Sequence, residues 1–271
     1  MKVRANCKIN IGLRVVRKRA DGYHDLDTLF FPVYGLYDEL EISPAEDVSF
    51  VSDGIVIDCN AEDNLVLKCY RLMTARYPQI GKVKIVLHKH IPFGAGLGGG
   101  SSDAAHTAIV LNQLFGLGLG KEELAKIVRE LGADCPFFIY NTPCLAKGVG
   151  DELTPIDFSL AGKRLVMIKP SSAVSTKEAY SGLVPSGKEL GDIANWQSWV
   201  NDFETTVFTK YPELGAIKKR LLEAGAYYAS MSGSGSTIFG LFENNSKGCA
   251  PSDLRLFEEE FSPMIIFNNT L

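Results

Sequence analysis

The six cysteines, Cys7, Cys59, Cys69, Cys135, Cys144 and Cys249, form no CxxC pair and match no zinc spacing. Their spacing excludes zinc fingers and dithiol redox motifs, and small buried apolar thiols are expected instead. No apolar run approaches the length that spans a bilayer. The opening MKVRANCKIN lacks the apolar centre of a signal peptide, so a cytoplasmic protein without a membrane partner is expected. Positive charge is not in excess: 28 Lys and Arg stand against 32 Asp and Glu, a net charge of -4. With no basic stripe either, nucleic acid is excluded as a partner. Histidine is sparse, with four in all. His88 and His90 share one face of VKIVLHKHI, as a metal pair would, but no third ligand lies nearby and structural roles are favoured.

What is present is ordinary globular composition, 46% hydrophobic and 22% charged, enough for a sizeable core. Residues 3–15 alternate apolar and polar side chains, which predicts a half-buried strand with Lys8 and Asn10 on its polar face. RADGYHD follows as a turn. Further strand signals fall near residues 29–33, 39–42, 48–51 and 82–91, and residues 65–77 read as a helix. Helices are expected over about 103–115 and from Lys121, the second stopping near Gly132. After Gly162 come a strand, RLVMIK, helical segments, a helix over 214–224, strands around SGSGS and a last strand, MIIF. Strands and helices in runs, rather than strict alternation, indicate an α+β protein. A boundary near Gly162 divides it into residues 1–160 and 161–271.

Five of the seven residues 94–100 are glycine, in PFGAGLGGGSSDAAH (residues 92–106). A linker would have polar, disordered flanks. Here a strand precedes and a helix follows, so the segment reads as a structured loop aiming backbone N–H groups at an anion. Ser101 and Ser102 can cap the helix, donate to phosphate oxygens or ligate Mg²⁺, and Asp103 is expected as a capping acid. The loop has no lysine for a Walker A motif. A dinucleotide fold wants an acid closing a second strand about 20 residues on, but a helix begins around Glu122 and Glu123 instead, and the protein-kinase signatures are missing.

The whole string, followed by an alanine-rich helix, resembles the phosphate loop of the GHMP kinase superfamily. CKINIGL near the start resembles the superfamily's first motif, and SMSGSGSTIFGLF (residues 230–242) its third. The strings DGYH, GADCPFF and NDFE resemble one branch, whose members phosphorylate a cytidine-diphosphate-linked methylerythritol in the non-mevalonate route to isoprenoids.

That resemblance implies a two-domain fold, with an N-terminal domain like ribosomal protein S5 and a ferredoxin-like C-terminal domain. Residues 1–160 would bind ATP and catalyse, and residues 161–271 would contribute to the substrate site. It implies that ATP and Mg²⁺ are used and that Pro92, Phe93, Gly94, Ala95, Gly96, Leu97, Gly98, Gly99, Gly100, Ser101 and Ser102 wrap the triphosphate. It assigns Asp134 as base with Lys8 beside it, and Gly233, Ser234 and Gly235 as the third motif. Asn10, Tyr23, His24, Thr176 and Tyr180 would bind the acceptor. Tyr23 would stack on cytosine, His24 would bond its edge, and Tyr180 would form the opposite wall. No obligate protein partner is implied, and no metal ligand is assigned.

Cys7 and Cys135 stand where the branch often has alanine and valine, which predicts sensitivity to bulky thiol reagents. Other kinases of the superfamily, its ATP-dependent decarboxylase and a non-catalytic nucleotide binder are the rival readings. A substrate panel, carbon dioxide release, and ATP binding without product would respectively reveal them.

Overall fold

In the computed structural model, residues 1–55, 60–243 and 252–271 are described. The chain runs β1 (Lys2–Lys18), β2 (His24–Pro44), β3 (Ser49–Gly54), α1 (Leu65–Arg76), β4 (Val83–Lys89), α2 (Gly99–Leu114), α3 (Lys121–Arg129) and α4 (Cys135–Tyr140). It continues as β5 (Cys144–Lys147), β6 (Glu152–Pro155), β7 (Lys163–Ile168), α5 (Thr176–Tyr180), α6 (Phe203–Lys210), α7 (Pro212–Glu223), β8 (Tyr228–Met231), β9 (Ile238–Glu243), α8 (Ser252–Phe261) and β10 (Ile265–Thr270).

Two compact units emerge. One holds Met1–Lys8, Pro32–Phe93 and Gly98–Thr142; the other holds Ile9–Phe31, Gly94–Leu97 and Pro143–Leu271. β1, β2 and the glycine-rich loop therefore each contribute residues to both.

In the first unit β4 lies between the later part of β2, antiparallel, and β3, parallel. The registers Leu40↔Leu87 and Ile42↔Ile85 place buried aliphatic side chains beside one another. Helices α1, α2, α3 and α4 pack together. Ala104, Ala105, Ala108 and Leu111 of α2 are buried, and the small alanines allow close approach of neighbouring helices.

In the second unit β7, β8, β9 and β10 form an antiparallel sheet in the order β10-β7-β9-β8. With helices between β7 and β8 and between β9 and β10, this is the ferredoxin-like arrangement. Val166, Ile168, Phe203, Ile217, Leu221 and Phe257 contribute to its core. Residues 28–30 of β2 pair with β5, which pairs with β6.

Three expectations change. The strands near residues 29–33 and 39–42 are one continuous β2. β1 is not half-buried: Asn6, Lys8 and Asn10 on its polar face are as inaccessible as Ala5, Cys7 and Ile9. And α2 begins at Gly99, four residues before the expected start, with Gly98 as its N-terminal cap at φ +70°. Ser101, Ser102 and Asp103 therefore lie inside the helix and do not cap it. Propensity disfavours glycine in helices by only about 1 kcal/mol each, so packing overrides it here.

Candidate active site

In the first unit, Lys8 projects from β1 with 4% of its side chain exposed, and its Nζ lies 3.4 Å from Asp134 Oδ2. Asp134 keeps 35% of its side chain exposed, so the pair is buried on the lysine side and open on the carboxylate side. Asp134 is the N-terminal cap residue of α4, and Pro136 sits in that helix's first turn, where its missing N–H costs nothing. Phe137 and Phe138 are fully buried and anchor the helix.

The first turn of α2 reaches the same place. A Cβ on Gly98 would stand 2.9 Å from Phe138 Cζ and 3.2 Å from Lys8 Cε. Only glycine combines that approach with a positive φ. Ser101 hydrogen-bonds the Cys135 thiol, next to Asp134. Lys8, Asp134 and the start of α2 thus converge. The first N–H groups of a helix have no intrahelical acceptor and carry its positive end, so this turn suits an anion. Before it, Phe93 stands exposed and Pro92 half-buried.

In the second unit, Ala95 and Leu97 are buried and Gly96 abuts the turn after β8. Ser232 donates to Gly96 O at 2.9 Å and accepts from Asn10 N at 3.2 Å. The Thr237 N–H reaches Ala95 O at 3.3 Å. Asn10 is buried, with its amide on Thr28 Oγ1 at 3.0 Å. Gly233 and Gly235 both hold positive φ, and Ser234 Oγ lies 3.4 Å from Thr176 Oγ1.

The aromatic residues form a stack in this unit. The His24 and Tyr180 rings are 4.5 Å apart and 20° from parallel. Behind Tyr180, Phe203 stands edge-on at 4.8 Å. Tyr23, 65% exposed, lies outside this pair. Its N–H is held by Asp21 Oδ1 at 3.0 Å in a turn opened by Gly22 at φ +88°. A cavity of about 680 Å³ adjoins the stack, lined by Lys18, His24, Val174, Lys177, Tyr180 and Thr206 among others. Burial and then the charge of Lys18 lower the His24 pKa, which keeps the ring neutral and suited to stacking.

Comparison with known proteins fits this geometry. Sequence models of the GHMP kinases N terminal domain and the GHMP kinases C terminal domain match residues 64–142 and 182–248. A 4-diphosphocytidyl-2-C-methyl-D-erythritol kinase from Cytophaga hutchinsonii is 49% identical over 246 residues, covering 88% of this chain and 90% of its own. The enzyme of that name from Parabacteroides distasonis is 47% identical with the same coverage. The chain belongs to the 4-diphosphocytidyl-2-C-methyl-D-erythritol kinase family. A crystal structure of 4-(cytidine 5'-diphospho)-2C-methyl-D-erythritol kinase superimposes with a TM-score of 0.80 at 33% identity, covering 98% of this chain and 96% of that one.

Some features of this GHMP kinase were not expected from its sequence. Lys89, at the end of β4, bridges Asp38 of β2 and Asp103 of α2, the latter at 2.7 Å, and all three are buried. Asp38 also accepts the His90 and Ile91 N–H groups at 2.6 and 2.8 Å. Asp103 is thus an internal anchor of α2, not a cap. Burial raises its carboxyl to about 7; Lys89 pulls it down and Asp38 pushes it up. Of this cluster the sequence singled out Asp103 alone, and as a cap. His106 bonds Ser102 O at 2.9 Å one turn along, and burial lowers its pKa despite that bond. His88 meets Asp53, and among the described residues no three His, Cys, Asp or Glu side chains converge on a metal position.

The expected thiol sensitivity is not supported. Cys7 and Cys135 are fully buried, and burial pushes both pKa values up, that of Cys135 to about 12, despite its bond from Ser101. Such thiols are unreactive in the folded chain. Cys69 and Cys144 are buried as expected and take part in no disulfide, whereas Cys59 and Cys249 lie outside the described residues.

Proposed function

We propose that this GHMP kinase moves the terminal phosphoryl group of ATP to the 2-hydroxyl of 4-diphosphocytidyl-2-C-methyl-D-erythritol, with Asp134 as base. The observation that carries the reading is the Lys8–Asp134 pair beside the first turn of α2. ATP is the donor throughout the GHMP kinases. Backbone N–H groups of residues 93–101 grip the triphosphate, with Pro92 at its border, and Ser101 adds a hydroxyl donor, whereas Ser102 is buried with its N–H on Gly98 O and its hydroxyl beside His106. Lys8 pairs with Asp134 and faces the charge that develops on the transferring group. Asp134 accepts the hydroxyl proton as the acceptor oxygen bonds to the γ-phosphorus. The bond from that phosphorus to the β,γ-bridging oxygen breaks, and ADP leaves.

Mg²⁺ enters with the nucleotide as MgATP. Phosphate oxygens and water would supply most of its ligands, and the charge it would neutralise lies on the phosphates.

Tyr23, His24 and Tyr180 hold the cytosine, while Asn10, Thr176 and the turn at Gly233, Ser234 and Gly235 frame the rest of the acceptor. Stacking rings about 4.5 Å apart leave no space for a third between them. A base reaching the covered face of Tyr180 therefore turns His24 aside, freeing it to bond the base edge. Residues 1–160 act as the nucleotide and catalytic part and residues 161–271 contribute to the acceptor site; the two family models fall on either side of this division. A reducing, cytoplasmic setting suits the four described thiols, none of which is in a disulfide. No helix among the described residues is long and apolar enough to cross a membrane.

Phosphorus NMR of the purified protein with MgATP and the cytidylyl sugar alcohol tests the reading. ADP and a new phosphomonoester should appear while the acceptor's diphosphate stays intact. Release of inorganic phosphate alone would contradict it.

A further inference from the structure

The string NDFE (residues 201–204) was visible in the sequence but carried no role. We propose that Asn201 is a positioning residue that holds the glycine–serine turn and the aromatic platform in one register.

Asn201 is 2% exposed. Its Nδ2 donates to Met231 O at 2.7 Å and to Gly233 O at 2.8 Å. Its Oδ1 accepts from the Phe203 N–H at 3.0 Å. A carboxamide carries two N–H donors and a carbonyl acceptor on one short stem, and this site uses both donors and the carbonyl. Aspartate lacks the donors, and serine has only one.

Each bond leads to a part of the candidate site. Between the two carbonyls that Asn201 grips lies Ser232, whose hydroxyl holds Gly96 O of the glycine-rich loop and the Asn10 N–H. On the other side, Phe203 opens α6 and braces Tyr180 edge-on, and Tyr180 stacks on His24. The path runs from Gly96 to Ser232, along the chain to Met231 and Gly233, and through Asn201 and Phe203 to Tyr180, and every residue of it belongs to the second unit.

The neighbours keep Asn201 in place. Leu13 N bonds Val200 O at 2.9 Å and Asp202 N bonds Leu13 O at 2.8 Å, fixing the backbone on both sides. Asp202 takes Arg14 and the Val15 N–H, at 2.8 and 2.9 Å. Glu204 accepts the Met231 N–H at 2.9 Å. The backbone of Asp202, not its carboxylate, fixes Asn201; the carboxylate binds only Arg14 and the Val15 N–H of β1, so a change confined to that side chain is the control.

The inference rests on the proposed function for the identity of the two ligands. In Asn201→Asp the acceptor for Phe203 remains, but a carboxylate faces two carbonyl oxygens. At about pH 8 the KM for ATP and the KM for the cytidylyl substrate should each rise about tenfold relative to the parent at the same pH. At about pH 6 the burial-raised carboxyl regains a proton, donates to one carbonyl, and both ratios should shrink. Asp202→Asn should lower the melting temperature while leaving both KM values unchanged.

Unchanged KM values in Asn201→Asp, with only a loss of active fraction, would overturn the proposal; so would a rise in one KM alone. Should the variant not fold, the parent supplies the test. The Asn201 carboxamide resonances in ¹⁵N NMR should shift on adding ADP and, separately, CMP. A response to neither or to only one refutes the shared register. Failure of the parent to transfer phosphate would instead strike the proposed function.

Discussion

At the scale of single residues, environment separates side chains that look alike in the sequence. Lys8 and Lys89 both pair with aspartate, yet Asp134 stays open to an incoming hydroxyl while Asp38 and Asp103 are sealed. The first pair suits proton transfer and the second suits anchoring. Tyr180 is likewise set apart from Tyr23 by its stack on His24 and its brace from Phe203. Stacking contributes about 1–3 kcal/mol per base, or about 5–150-fold in affinity. Tyr180→Ala should therefore raise the KM for the cytidylyl substrate within that range and leave the KM for ATP unchanged, as initial rates against each substrate will show. Equal effects on both would remove Tyr180 from the base slot.

At the scale of elements, the start of α2 decides the geometry. Gly98 carries φ +70° and has Phe138 and Lys8 at its back, whereas Gly94 carries φ +61° with nothing within 4 Å. Alanine at either position pays about 1–2 kcal/mol of backbone strain, but only at Gly98 does it also strike the site. Gly98→Ala should raise the KM for ATP at least about tenfold more than Gly94→Ala. Equal effects would deny the close approach its importance.

The elements also show what a sequence reveals. The glycine-rich string, the lysine of KIN and the aspartate of GADCPFF were legible as motifs, because each lies in a short contiguous stretch, and most strands of the second unit were legible as well; α8, between the last two strands, was not read from the sequence, and the ferredoxin-like form came only from the resemblance. The helical start at Gly99 was not, since glycine propensity points the other way and packing against Phe138 outweighs it. The burial of both faces of β1 was hidden too, because period-two alternation reports polarity and not what covers the polar side. Asn201 was visible in a string, but its role needed residues about 30 positions away, at Met231 and Gly233.

At the scale of the whole molecule, the buried Asp38–Lys89–Asp103 cluster links stability to pH. Asp103 titrates near 3.8 when unfolded and near 7 when folded. Between those values the folded chain keeps a proton that the unfolded chain has lost, so stability falls as pH rises through that window. The raised Lys89 stays charged across the whole range and does not offset the fall. The lowered His24 and His106 act in the opposite direction over part of that range, so the Asp103 contribution is read by difference: in urea unfolding of the nucleotide-free protein, the stability change from about pH 5 to about pH 8 should be less favourable in the parent than in Asp103→Asn. An unaltered difference in that variant would place the proton elsewhere.

The measurement that bears most directly on the catalytic assignment is single-turnover phosphoryl transfer by Asp134→Asn, read beside its affinity for MgATP. Loss of the base should slow transfer by about 10²–10⁴-fold while nucleotide affinity stays at the parent value. Transfer at the parent rate would show that the acceptor hydroxyl loses its proton to some other group.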